Sequence, residues 1–243
     1  MTSESEKIAA YWSSLEPDRD STGSFYISPF TVEYKNRRAF GDDVAPDRIS
    51  DETLALDVFL RRYASDRPIR SILSLCCGFG KVERYVVKRL KTVESCLGVD
   101  LAEGALREAA RRAASEGLPI RYETADLNNY KWPVEAYDLI IANGALHHLT
   151  NLEAVMPGMR QALRPGGVLY CCEYVGPSHQ DQSARQVELI NAAKFLLPDE
   201  LRELRGVPFL GGGWRWRIVS KAANLHRKTK PYRRHGRYGR SWR

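Results

Sequence analysis

Apolar residues in this chain gather in short runs with no helical period, separated by longer stretches in which they recur every three or four positions. The runs at residues 72–75, 95–99, 120–123, 137–142 and 168–172 are too short for helices and predict strands, those at 72–75 and 137–142 buried. Between them, residues 81–90 place Val82, Val86 and Leu90 on one helical face. Residues 103–115, rich in Ala, Arg and Glu, predict a helix that Gly117 terminates, and residues 152–163 predict another, stopped by Arg164-Pro165-Gly166-Gly167. Ahead of the first strand, residues 51–63 carry Leu54, Leu56, Val58, Phe59 and Tyr63 in an amphipathic pattern, with Asp51 and Thr53 as caps. Strand and helix alternating at this pitch predict an α/β fold, a Rossmann-like open parallel sheet with helices on both faces. Residues 1–50 show no clear hydrophobic period beyond a short helical pattern from about Ser5 to Tyr11-Trp12. They are expected to form an N-terminal arm, either packed on the surface or acting as a lid. Residues 51–205 are expected to form the main domain, and 206–243 a basic, irregular tail.

The first strand runs into Cys76-Cys77-Gly78-Phe79-Gly80, a tight turn before the helix at Lys81. Glycine suits such a turn because the backbone must take conformations closed to other residues and approach a ligand closely. The helix start then offers N–H groups to an anionic ligand group. The second strand ends in Asp100, about 20 residues after the glycines, where a carboxylate can accept both hydroxyls of a ribose. Gly78 and Gly80 are followed three residues later by Glu83 rather than a third glycine. That position wants no side chain in a dinucleotide fingerprint, and a carboxylate there would repel a pyrophosphate. In an open parallel sheet the ligand lies across the carboxyl ends of the strands. Asp126, Asn143 and Glu173 occupy the other ends, and Asp126 with the apolar Leu127 suits an adenine edge and face.

These residues resemble the motifs of class I S-adenosylmethionine methyltransferases. The stretch from Ile72 to Gly80 is similar to their hydrophobic-acid-x-G-x-G-x-G motif, with Ser74 in place of the acid and Cys76 in place of the first glycine. Asp100-Leu101 resembles their ribose-binding acid and its neighbour, and Asp126-Leu127 their adenine-contacting pair. Asn143-Gly144-Ala145-Leu146-His147-His148-Leu149 resembles the segment after the fourth strand. The resemblance spans about residues 70–180. It extends, through Asn36-Arg37-Arg38, Gly41-Asp42, Val82-Glu83-Arg84, Glu173-Tyr174-Val175-Gly176-Pro177-Ser178 and Leu189-Ile190-Asn191, to a subgroup of bacterial methyltransferases of mostly unassigned substrate. It implies S-adenosylmethionine as cofactor, held by Cys76, Cys77, Gly78, Phe79, Gly80, Asp100, Leu101, Asp126, Leu127 and Asn143. The implied reaction is methyl transfer by in-line displacement to a small-molecule or saccharide acceptor. His147 or His148 is the candidate base, with Glu173 and Tyr174 as rivals, and the alternative is that the histidines only orient the loop. Asn143 lacks the Pro-Pro-aromatic sequence that resembling enzymes use for nucleobase amines, which argues against such a substrate.

Composition bounds the partners. The 243 residues are 43% hydrophobic and 28% charged, enough for a core. No apolar run reaches the ~20 residues that span a bilayer, and the polar N-terminus does not read as a secretory signal. Five cysteines, four in the neighbouring pairs Cys76-Cys77 and Cys171-Cys172, fit neither a disulfide framework nor a zinc spacing. Small buried thiols in a reducing, cytoplasmic setting are expected. No metal site is expected, since adjacent histidines cannot readily share one ion. Net charge is +7, yet no Asp or Glu follows Glu203 while twelve Lys and Arg do. Without those twelve the chain has 25 basic and 30 acidic residues, a balance of −5. Nucleic acid is therefore expected to engage only the tail, whose interleaved Trp, Tyr and Arg could stack on single-stranded RNA. Relatives of this kind continue into two further strands that are not legible here. After about Leu210 the text keeps no period of two or 3.6, so a truncated or frame-shifted end is expected, with a nucleic-acid arm as its rival. Oligomeric state is open. A protein that only binds, or a nicotinamide oxidoreductase, are the alternatives of other classes, and the latter lacks G-x-G-x-x-G and Tyr-x-x-x-Lys.

Overall fold

The expected apolar runs become five strands: residues 71–75 and 139–142 are shut away from water on both sheet faces, while the runs at 120–124 and 163–172 are largely open to it. The computed structural model describes residues 9–10, 13–14, 29–41, 44–45, 47–64, 67–173, 183–186 and 188–189. The elements in chain order are α1 (Pro29–Phe40), α2 (Leu54–Tyr63), β1 (Ser71–Leu75), α3 (Lys81–Arg89), β2 (Ser95–Asp100), α4 (Glu103–Ser115), β3 (Ile120–Thr124), β4 (Tyr137–Asn143), α5 (Leu152–Ala162) and β5 (Leu163–Cys172). Short 3₁₀ turns lie at Leu127–Asn129 and Leu146–His148. The strands are all parallel in the order β3-β2-β1-β4-β5. Adjacent strand residues serve opposite faces. Ile72, Leu139 and Ile141 pack with Leu56, Leu60, Val86 and Val87. Leu73, Leu75, Val99, Ile140 and Ala142 pack with Leu127, Val155, Met159 and Ala162 on the other face.

The chain divides into two compact units. One comprises residues 1–20 with 55–176, and the other 21–54 with 177–243. The first holds the whole sheet. In the second, α1 is a helix that the sequence pattern does not announce, because one of its inward positions is polar. Asn36 is buried, and its Nδ2 donates to the carbonyls of Ile49 at 2.8 Å and Asp51 at 3.0 Å. Asp51 caps the next turn as expected, its Oδ1 accepting the Thr53 N–H at 2.8 Å and hydroxyl at 2.6 Å.

Two expectations need correction. The turn expected at 164–167 lies inside β5, where Tyr137 pairs with Leu163 and Leu139 already pairs with Val168. The extra residues loop out at a bulge in which Gly166 takes φ 77°. The cysteines, moreover, are not uniformly buried. Cys96 is buried and Cys76 and Cys77 are half-buried, whereas Cys171 and Cys172 are exposed, and all five are free thiols. The expected irregular tail, the further strands and the RNA-stacking residues lie outside the described residues. Among the described residues, no helix is long and apolar enough to cross a membrane, and no cluster of His, Cys, Asp and Glu could hold a metal ion.

Candidate active site

Sheet order reverses direction at β1, with β2 and β3 on one side and β4 and β5 on the other. A crevice opens at such a point outside the carboxyl ends of the strands, and the turn after β1 sits there. Cys76 (φ 48°), Gly78 (φ 52°) and Gly80 (φ 68°) all take left-handed conformations. Alternate left-handed residues turn successive N–H groups toward one side, and α3 begins at Gly80 with no side-chain cap across its first turn. Cys76 shows that the first position of the turn tolerates a side chain, although a positive φ is strained for a non-glycine residue. Its thiol reaches the Ala145 carbonyl at 3.7 Å, tying the β1 turn to the segment after β4.

Asp100 closes the other wall. Its Oδ2 accepts the Gly78 N–H at 2.9 Å and its Oδ1 the Ala102 N–H at 2.8 Å. Each carboxylate oxygen has a second lone-pair direction, so the group can hold the turn and still accept hydroxyls. Leu101, beside it, is half-buried. Asp126 acts on its own turn. Its Oδ1 accepts the backbone and side-chain N–H of Asn128, both at 2.9 Å, and its Oδ2 accepts Asn129 Nδ2 at 3.1 Å. These bonds fix the 3₁₀ turn whose Leu127 is buried in the core. Asn143 ends β4 paired with Cys172, and its side chain is exposed, as Phe79 is in part.

The β4 and β5 ends meet at Glu173. Its Oε1 accepts the N–H of Leu146 at 2.6 Å and that of Ala145, and its Oε2 faces His147 Nδ1 at 2.8 Å. Burial pushes this carboxyl up, but the hydrogen bonds from His147, Leu146 and Ala145 outweigh it and hold it below the usual range. An ionised Glu173 can only accept, so His147 presents its Nδ1–H to it, the tautomer in which a neutral ring carries its lone pair on Nε2. The two histidine rings lie 4.0 Å apart, and burial, with the neighbouring ring, lowers the pKa of His148. Burial, then the charges of Asp100 and Glu173, push the Cys76 thiol up to about 12, and burial likewise raises Cys77. The turn thiols are thus neutral and poor nucleophiles.

One carboxyl was not assigned a place by the sequence. Glu83 of α3 is 1% exposed and receives the Ser74 hydroxyl from β1 on Oε1. The sequence does contain the signal, since an acid is missing at Ser74 and an unexpected one appears at Glu83.

A parallel sheet with a left-handed glycine turn after β1 and an acid ending β2 defines a Rossmann-like nucleotide-type cofactor domain. Residues 72–167 match the family model described as a methyltransferase domain. Over this stretch the chain is similar to methyltransferases. Over 107 residues the chain is 30% identical to an uncharacterized methyltransferase of Mycobacterium tuberculosis, covering 44% of this chain and 52% of that protein. It is 28% identical over 143 residues to highly reducing polyketide synthase 40 of Fusarium mangiferae, covering 58% of this chain and 6% of the synthase. A solved S-adenosylmethionine-dependent methyltransferase from Mesorhizobium loti is 36% identical over 42% of this chain and 44% of its own, with a TM-score of 0.38. The chain thus spans about half the length of the mycobacterial relative and a small part of the synthase.

Proposed function

We propose that this chain transfers a methyl group from S-adenosylmethionine to a small-molecule or saccharide acceptor whose attacking atom carries a proton. The cofactor, when bound, supplies a methyl carbon activated by an adjacent sulfonium. The residues fit it: the left-handed turn at Cys76–Gly80 and the α3 start would receive the amino-acid end, and Asp100 the ribose hydroxyls. Asp126, Leu127 and Asn143 would border the adenine and the reacting centre. The residues near Ser13 would form part of the proposed arm or lid, and the Ser13 hydroxyl accepts the Gly104 N–H at 3.3 Å in the first turn of α4. The neutral thiols of Cys76 and Cys77 would not compete for the methyl group.

The observation that carries the reading is the Glu173–His147 pair. Glu173 fixes the tautomer that leaves Nε2 free to take a proton, and it stabilises the imidazolium that results. A hydroxyl acceptor needs such a base, whereas a neutral amine needs it less. His147→Gln should lower kcat by about 10²–10⁴-fold while changing the Kd for S-adenosylmethionine little. Glu173→Gln should give a smaller loss. Wild-type turnover in His147→Gln would remove the base role and leave the pair as a loop anchor.

A further inference from the structure

Beneath the glycine turn lies a group of ionisable side chains for which the proposed chemistry has no use. Glu83 is fully enclosed at the start of α3. Ser74 of β1 binds one of its oxygens, and the other, Oε2, has no partner. The Tyr122 hydroxyl from β3 is also buried without a partner, as is Nη1 of Arg84. The Tyr122 ring fills the space left by two glycines: a Cβ at Gly98 would lie 2.7 Å from its Cδ1, and one at Gly80 would collide with its hydroxyl. Cys77 Sγ borders the same space, 2.8 Å from a Cβ at Gly98. The charged groups that act on Glu83 are Arg84 on its own helix, which favours the anion, and Asp100 at the end of β2, which opposes it. Glu83 in turn acts on Cys77, Cys96 and Tyr122, all of which are neutral in its company. Burial is the largest influence and pushes the Glu83 carboxyl up to about 7, against the Ser74 and backbone hydrogen bonds.

We propose that Glu83 is a proton-linked positioning residue for the cofactor. Through Ser74 it supports the turn from below as a neutral acid, and it releases its proton when a sulfonium is seated above the turn. The inference rests on the reading of this crevice as the S-adenosylmethionine site. A positive charge brought close to a buried acid favours its anion, by 1–3 pKa units for a near neighbour. By linkage, the ligand must then bind more tightly where the acid is already ionised. S-adenosylhomocysteine has the same adenosine and amino-acid groups with an uncharged sulfur, so it should not drive the release. The step is an acid–base exchange alone: the O–H bond of Glu83 breaks, its electron pair stays on the carboxylate, and the proton passes to solvent buffer.

The test uses the full chain. S-adenosylmethionine affinity by calorimetry should be about tenfold tighter at pH 8 than at pH 6, and that of S-adenosylhomocysteine about twofold or less. Infrared difference spectra near pH 6.5 should show the loss of a neutral-carboxyl band when S-adenosylmethionine is added, a band that imidazoles and thiols cannot contribute. In Glu83→Gln both the pH dependence and the band loss should vanish. If that variant does not fold, Ser74→Ala, which removes the hydroxyl donor that favours the anion, should move the affinity change to higher pH. Binding with no carboxyl band lost from the wild type, or an unchanged pH profile in Glu83→Gln or Ser74→Ala, would overturn the inference while leaving the cofactor site standing. Failure of the wild type to bind S-adenosylmethionine at all would overturn both.

Discussion

Glu83 is where a single side chain most visibly departs from expectation. The acid absent from β1 at Ser74 stands one helical turn into α3 and reaches back to that same serine. Its folded-state pKa, pushed from 4.5 to about 7 by burial, makes the neutral form the one the fold prefers. The sign follows: the native state binds the proton more tightly, so this stabilisation is present below about pH 4.5 and is lost as pH rises through 7. The wild type should therefore lose about 3 kcal/mol relative to Glu83→Gln between those limits. Denaturation of both proteins across that pH range isolates the effect, because His148, whose lowered pKa acts in the opposite direction, cancels in the difference. A constant difference would mean that Glu83 stays ionised in the fold. The sequence carried this pairing only as a substitution and an apparent intruder. Contacts between a strand and the helix after it depend on rotamer and depth, which neither periodicity nor spacing encodes.

At the scale of elements, the strands and the glycine turn were legible because each rests on a local constraint, an apolar run or a positive φ. The α1 helix was not, since a buried Asn36 satisfied by two carbonyls breaks the hydrophobic stripe. The Glu173–His147 pair was half legible: both residues stood out as candidate bases, but only the parallel pairing of β4 with β5 brings their ends together. Asn128 links the elements behind that pair. Its Oδ1 accepts the N–H of Thr150 at 2.8 Å and of Asn151 at 3.0 Å, capping the approach to α5 from the turn that Asp126 holds. Asn128→Ala should cost about 1 kcal/mol and speed amide exchange at residues 147–151. An unchanged urea midpoint with unchanged exchange would show that water replaces Asn128 without loss.

For the whole molecule, the main asymmetry is charge. Residues up to Glu203 carry an acidic excess, and the charged side chains of the segment beyond it are all basic. Any affinity for single-stranded RNA should therefore belong to that segment and fall steeply with salt. Fluorescence anisotropy on the full chain, and on a variant with the twelve Lys and Arg of residues 205–243 replaced by Gln, measures this. Equal binding by both would place the nucleic-acid surface elsewhere.

Methyl transfer by this chain requires that the crevice at the head of β1 and β2 be the S-adenosylmethionine site, and calorimetry of Asp100→Ala tests that most directly. Asp100 accepts the Gly78 N–H of the glycine turn and the Ala102 N–H, and it is the side chain proposed to take the ribose hydroxyls. Binding of S-adenosylmethionine to the wild type should be one to one, and the variant, shown to be folded by circular dichroism, should bind about 5- to 150-fold more weakly, equivalent to about 1–3 kcal/mol. Equal affinity in the folded variant would contradict the assignment.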